Sequence, residues 1–378
     1  MSFHIQRPVS RNLSKVFAVA LLVAVSSCSN AESNKPPRQD DWVIYLHPDG
    51  WDYFDTRNVV IDAAGGKWIA HRSGVSYLDD NGTLTDVTDD AWFRHSTSGG
   101  FVYLDGMSGL WLKTDPISYL DFNGTPFDPS DDNWVDVYTT AEGLKERPHN
   151  MALDQSRGLW ISYIFSGVDY LDTNGTPGDK SDDTWVNFSS GDGLGDTGAQ
   201  MIAPEPGRGV WFGHYAGVSF LDFGADPLVK GDDRWVTFTT ADGLVHPAVE
   251  SIAIDSSGYK WFGTYNDVSC LDDAGTPFSK FDDRWMTYPI KNHPRLFNET
   301  TSIAIDLNGG KWFGTTQSGV YFLDDAGTPF DRSDDSSFYS GKSNGLASNS
   351  VFLWGRGITI DSANGKWVCT SEGLCYLP

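Results

Sequence analysis

Cysteine is scarce, four residues in 378, and no two of them stand in the Cys-x-x-Cys spacing of a zinc site. Basic charge is scarce too: 27 Lys and Arg face 51 Asp and Glu, a formal net charge of −24. Such a surface repels phosphate backbones and anionic polysaccharides at long range, so nucleic acid is not an expected partner. Beyond residue 25 no apolar run is long enough to cross a bilayer, and no helical pattern suggests a histidine kinase or a DNA-binding element. No Ser-His-Asp order, His-Cys cluster or two-carboxylate pattern rises above the acidic background, so no catalytic residue is singled out. What is abundant instead is glycine, 40 residues, and aromatic side chains, 14% of the chain. That mixture suits many short strands joined by tight turns.

The N-terminus reads as a targeting segment. Arg7, Arg11 and Lys15 precede an apolar run from Val16 to Val25, too short for a membrane span and typical of a secretory leader. It ends in Val25-Ser26-Ser27-Cys28, which resembles the bacterial lipobox. The resemblance implies a signal peptide over 1–28, lipidation of Cys28, and, because Ser29 follows, an outer-membrane or periplasmic address reached through the lipid anchor alone. Removing residues 1–28 leaves 24 basic against 51 acidic groups, or −27. Residues 29–40, polar and with a Pro pair, read as a flexible tether.

The remaining chain, 41–378, repeats itself. A Gly-x-Trp or similar element recurs at Trp68, Trp111, Trp160, Trp211, Trp261, Trp312 and Trp367, at spacings of 43 to 55 residues. Between these anchors stands Asp-Asp-x-Trp, at Trp92, Trp134, Trp185, Trp235 and Trp285, with a degenerate copy ending in Phe338. Each unit offers four short runs with strand-like alternation separated by Gly, Asp or Asn turns. The acid that ends the first run (Asp62, Asp154, Asp255, Asp306, Asp361) precedes a turn glycine and is read as an Asx-type turn cap. Four antiparallel strands form a propeller blade, and blades bury their faces by stacking in a ring. An orphan copy, Asp40-Asp41-Trp42, stands before the first full unit, while the last unit, about 357–377, supplies only three strands. The expected fold is therefore all-β: a seven-bladed β-propeller closed by a blade shared between an N-terminal strand, about 41–47, and the C-terminal strands.

Segment 239–271, TTADGLVHPAVESIAIDSSGYKWFGTYNDVSCL, resembles the two-component regulator propeller repeat. Its hallmarks are Gly-Leu before the inner strand, Asp-x-x-Gly-x-x-Trp-Phe-Gly-Thr, and a following Gly-Val. The likeness covers about 40–377 and is weakest in the second unit, where Gly-Leu-Trp-Leu-Lys-Thr-Asp-Pro replaces the hallmark. The resemblance implies a periplasmic sensor that detects oligosaccharides or dimerises. Because the sequence shows no linker β-domain, membrane helix or kinase, a stand-alone surface binding protein in lipoprotein form is the expectation.

Positions that vary while the repeat stays constant are free for function. Three and four residues after each anchor tryptophan lie His71-Arg72, Thr114-Asp115, Tyr163-Ile164, His214-Tyr215, Thr264-Tyr265, Thr315-Thr316 and Thr370-Ser371; His71, Tyr163 and His214 depart from the repeated Thr. Five residues before each turn acid lie Arg57, Gly100, His149, Gln200, Glu250, Thr301 and Arg356. In a propeller both sets gather at one channel mouth. The expected ligand-binding residues are Arg57, His71, Arg72, His149, Tyr163, Gln200, His214, Tyr215, Glu250, Tyr265 and Arg356, a mixed polar and aromatic set suited to a sugar. The leading expectation is a binding or sensing module for a glycan or an envelope-protein partner. Its rivals are a polysaccharide lyase or hydrolase using the same mouth, with His149 and Glu250, or His71 and His214 with Arg57, as acid and base, and a scaffold whose acidic rim contacts another envelope protein.

No cofactor is required by this reading, but Ca²⁺ is considered. The third-to-fourth strand links, such as DTNGTPGDKSDD at 172–183, cluster oxygen ligands, with Asp172, Asn174, Asp182 and Asp183 as candidates. Lys180, Lys280 and Arg332 offer a metal-free way to hold the same loops. Cys369 and Cys375 flank a hairpin turn and are a candidate disulfide in an oxidising compartment, while Cys270 aligns with core aromatics of other units.

Overall fold

The computed structural model describes residues 36–45, 55–96, 100–105, 109–114, 116–154, 158–177, 179–290, 299–352 and 355–378. The leader with Cys28, the tether up to residue 35, and positions 46–47 of the expected closing strand lie outside the described residues.

The chain forms seven four-stranded antiparallel sheets, the blades of a β-propeller. Blade 1 comprises Thr56–Ile61, Lys67–His71, Gly74–Asp79 and Ala91–Ser96; blade 4 comprises Met201–Glu205, Gly209–His214, Gly217–Asp222 and Arg234–Phe238. Blades 2, 3, 5 and 6 repeat this plan in chain order from Phe101, Asn150, Val249 and Thr300. Blade 7 takes Ile358–Ile360, Lys366–Thr370 and Gly373–Leu377 from the C-terminus and its fourth strand, Val43–Tyr45, from the N-terminus. The closing register pairs Val43 with Tyr376, Ile44 with Cys375 and Tyr45 with Leu374. Pro37 is already buried ahead of that strand, so the far end of the expected tether is docked on the propeller.

Each anchor tryptophan is wedged between blades, with side chains 0–3% exposed. Trp160 meets Phe212 of blade 4 at 5.6 Å between centroids, Trp211 meets Phe262 of blade 5 at 5.7 Å, and Trp261 meets Phe313 of blade 6 at 6.1 Å. The turn acid serves both elements it joins. One oxygen of Asp306 accepts from the Asn308 and Gly310 amides, and the other from Trp312 Nε1 at 2.9 Å. Asp255–Trp261, Asp361–Trp367 and Glu205–Trp211 repeat the indole bond. The turn-cap role read for Asp62, Asp154, Asp255, Asp306 and Asp361 is present in each, every one accepting from the amide four residues on.

A lysine precedes the tryptophan in four blades, and its role was not legible in the sequence. Lys260 is fully buried, lies 5.7 Å from the Trp211 ring of the preceding blade, and pairs with Asp273 at 2.8 Å. Lys67, Lys311 and Lys366 likewise lie over Trp367, Trp261 and Trp312. A cation desolvated over an indole gains cation–π attraction, and the carboxylate offsets its burial.

Two hallmarks of the repeat explain each other. Gly243, in the Gly-Leu that leaves blade 4, has φ +128°. A Cβ there would stand 2.5 Å from Cγ of Trp285, the Asp-Asp-x-Trp tryptophan of blade 5. The same seat occurs at the seam: a Cβ on Gly345, φ +107°, would stand 3.0 Å from Trp42. Trp42 also donates from Nε1 to Ser340 Oγ of blade 6 at 3.1 Å, and the Tyr45 hydroxyl donates to Leu84 O of blade 1 at 2.6 Å. The borrowed strand thus holds both neighbours.

The cysteine expectation is corrected by the register. Cys369 pairs with Leu374 and Cys375 with Val368. Directly opposed residues share a face and successive ones alternate, so the two thiols point to opposite faces of blade 7. Both are free and buried. Cys375 replaces the serine of other blades: its Sγ accepts from Ala347 N, as Ser269 Oγ accepts from Val245 N. Cys270, fully buried opposite Trp261, fills the aromatic position as expected.

Of the four Ca²⁺ candidates, Asn174 donates to Asp182 at 3.3 Å. Asp172 accepts from Asn174 N and Asp182 from Thr176 Oγ1, so these carboxylates close their own turns. Among the described residues no group of three or more His, Cys, Asp or Glu is set to hold a metal ion. The loop cations reach backward instead: Lys280 pairs with Asp242 at 2.8 Å and lies 4.9 Å from the Phe238 ring of blade 4, and Lys180 and Lys230 repeat the geometry over Tyr138 and Phe188.

Gly243→Ala is expected to lower stability by more than about 2 kcal/mol, since it combines left-handed backbone strain with a clash; denaturant unfolding measures it. Thiol titration of the unfolded, unreduced chain is expected to find Cys270, Cys369 and Cys375 all reactive.

Candidate functional site

Second-to-third strand hairpins and the links entering each blade meet at one end of the ring. Tyr265 N donates to Ala248 O, Arg72 N to Asp55 O, and Ala199 N to Tyr163 O. This is the mouth expected from the repeat, and the two sets of variable positions have different fates there.

The first set is mostly structural. Where the repeat carries Thr, the hydroxyl closes the hairpin: Thr264 donates to Asp267 O and Thr370 to Gly373 O, each at 2.8 Å. His71, Tyr163 and His214 do the same work with other partners, and all three are buried. His71 Nε2 meets Ser76 Oγ at 3.1 Å, and His214 Nε2 meets Ser219 Oγ at 2.9 Å. The Tyr163 hydroxyl donates to Asp169 at 2.6 Å, and Asn187 donates to the other oxygen at 2.7 Å. These three side chains, which the repeat comparison marks most strongly, are held in the hairpin by polar partners on the facing strand: the repeat's own serine for His71 and His214, and Asp169, which replaces that serine, for Tyr163. Burial pushes the His214 imidazole down to about 4, against an opposing pull from Asp196.

The second set occupies a defined backbone feature. The register of the inner strand slips between Thr56 and Asn58, between Val249 and Ser251, and between Thr300 and Ser302, leaving Arg57, Glu250 and Thr301 as the extra residues of β-bulges. A bulge steps a side chain out of the alternation between sheet faces. Gln200 stands at the corresponding place, its N–H donating to Gly213 O. Gln200 and Glu250 are only 3% and 5% exposed, yet Gln200 Nε2 and Glu250 Oε1 have no hydrogen-bond partner among the described residues. Burial and the neighbouring Glu299 carboxylate push Glu250 up to about 7, against a smaller opposing pull from the Tyr265 hydroxyl.

Aromatic side chains rim this half of the mouth. Phe165, Tyr215 and Tyr265 stand on the hairpins of blades 3, 4 and 5; Phe165 is 75% and Tyr215 49% exposed. Tyr215 and Tyr265 meet edge to face at 6.4 Å and 87°, and His246 stacks on Tyr265 at 5.8 Å and 16°. Phe165 and His246 escaped the sequence comparison, because one lies a residue beyond the compared pair and the other in the Gly-Leu link.

The opposite half is basic. Lys113 donates to the His149 carbonyl and lies 4.2 Å from the Phe101 ring. Burial pushes the Lys113 ammonium down to about 7, and Arg147, Arg57 and Arg356 add to the shift. His149 is pushed down to about 4 by burial, with Lys113 adding. Arg72 is exposed at the rim. Arg356 lies deeper, as a bar across the channel: its guanidinium donates to Met151 O at 2.9 Å and sits 4.5 Å from the Tyr103 ring. Beyond it a cavity of about 590 Å³ opens toward the other end, lined by inner-strand residues such as Ile61, Leu104, Leu153 and Ile360.

No family model matches the chain, and no curated protein matches it. Among solved structures it is similar to two extracellular domains of hybrid two component systems from B. thetaiotaomicron. One aligns with a TM-score of 0.61 and 18% identity over 90% of this chain and 42% of its own; the other with 0.64 and 16% over 90% and 40%. PorZ, a surface component of the type-IX secretion system of Porphyromonas gingivalis, gives 0.60 and 16% over 89% and 47%. Virginiamycin B lyase from Staphylococcus aureus gives 0.57 and 12% over 89% and 98%. The chain therefore spans less than half the length of the first three proteins. At these identities the likeness defines the fold alone, a seven-bladed propeller.

Because His214 is neutral in the folded chain and titrates near 6.5 when unfolded, its contribution is present above pH 6.5 and lost as pH falls toward 4. The stability gap between wild type and His214→Gln is expected to narrow between pH 7 and 4.5 by on the order of 2 kcal/mol, measured by denaturant unfolding at each pH.

Proposed function

We propose that this chain is an exported binding or sensing module of the cell envelope that takes a glycan at its channel mouth. The observation that carries this reading is the pair of buried polar atoms, Gln200 Nε2 and Glu250 Oε1, beneath exposed aromatic rings. A sugar hydroxyl accepts from the amide and donates to the carboxylate, and the faces of sugar rings lie on Tyr215 and Phe165. The extracellular domains to which the fold is similar, and the secretory pattern at the N-terminus, support export. Lipid attachment at Cys28, an outer-membrane address and membership of the two-component regulator propeller group belong to the same proposal, resting on the lipobox and repeat resemblances. An envelope protein engaging the mouth is the alternative partner.

A second reading, polysaccharide cleavage at the same mouth, draws on Glu250, whose carboxyl titrates near neutrality and can exchange a proton there. Product release from bound glycans separates it from binding alone.

A glycan array probed with the propeller is expected to give hits that Gln200→Ala with Tyr215→Ala removes, while thermal unfolding of the double variant stays close to wild type. Hits that survive the double variant would move the site elsewhere.

A further inference from the structure

The mouth is polarised. Blades 1 to 3 bring Arg57, Arg72, Lys113 and Arg147 within electrostatic reach of one another. Blades 4 to 6 bring two carboxylates, Glu250 and Glu299, together with the Tyr215, Tyr265 and His246 rings. The acidic side has a specific deficit. Glu250 is almost wholly buried, and its Oε1 has no hydrogen-bond partner among the described residues. No described cation acts on it, whereas Glu299 repels its charge.

A neutral hydroxyl brings one donor and no charge, so it satisfies the oxygen but leaves two carboxylates opposed. An ammonium brings three donors and a full positive charge, and favours the faces of tyrosine rings. The chain's net charge of −24 steers cations toward it. The basic arc across the channel then fixes orientation, because it repels the same group. We infer that the Glu250 side of the mouth is a subsite for a protonated primary amine, so that the glycan taken there is an amino sugar with a free amino group. This rests on the mouth being the glycan site. It adds that Glu250 and Glu299 together take the ligand's ammonium, while Tyr265 and Tyr215 hold the sugar ring.

The test is titration calorimetry of the full chain at pH 7 with a glucosamine tetramer, its N-acetylated counterpart and a galacturonate tetramer. The glucosamine tetramer is expected to bind at least about tenfold more tightly than the acetylated one, with the galacturonate chain weakest. Glu250→Gln, checked for an unchanged melting temperature, is expected to reduce that preference below about twofold. Tyr215→Ala is expected to weaken both aminated and acetylated chains. Equal or tighter binding of the acetylated chain, or a preference that survives Glu250→Gln, overturns the amine subsite and leaves the mouth as a glycan site. If none of the three saccharides binds, the amine subsite falls, and a glycan array with no hits would take the wider reading with it.

Discussion

An indole between two sheets is the contact on which this molecule depends. A lone four-stranded blade cannot bury both its faces, and the anchor tryptophan is what each face receives from its neighbour. Truncating a buried tryptophan costs about 3–5 kcal/mol, and the contact recurs at seven anchors that are all nearly inaccessible to solvent. Around it the other repeated residues find their roles. In four blades the turn acid holds the indole N–H, and in four a lysine covers the ring of the preceding tryptophan. At the Gly-Leu link the missing Cβ leaves room for the second tryptophan.

Because that contact is circular, the first strand of the chain is as important as any in the middle. Val43–Tyr45 adds three residue pairs to blade 7, but its flanking side chains do more. Trp42 sits on blade 6 and Tyr45 reaches blade 1, so the seam is bridged on both sides. A ring closed in this way presents a rigid rim, and loops on a rigid rim can vary without loss of fold.

Variation at the rim was only partly readable. The bulge positions vary because the ladder does not pair the residue that a bulge leaves over. The hairpin positions misled. His71, Tyr163 and His214 look exceptional in a column of threonines, yet Ser76, Asp169 and Ser219 answer them from the adjoining strand. A comparison that looks at one column cannot see the partner across a hairpin, whether it is the repeat's own serine or, for Tyr163, the replacement Asp169. The disulfide expectation failed for a related reason: closeness in sequence around a turn says nothing of the pleat, which sends Cys369 and Cys375 to opposite faces.

Period, blade number and ring closure followed from the sequence by itself, since they depend on tryptophan spacing and on an orphan half-unit, both of which are one-dimensional facts. The buried lysines, the polarity of the mouth and the solitary Glu250 oxygen were decided only by tertiary structure. Each of these depends on which residues of different blades end up facing one another. That distance is set by the curvature of the whole ring, and no local run of residues encodes it.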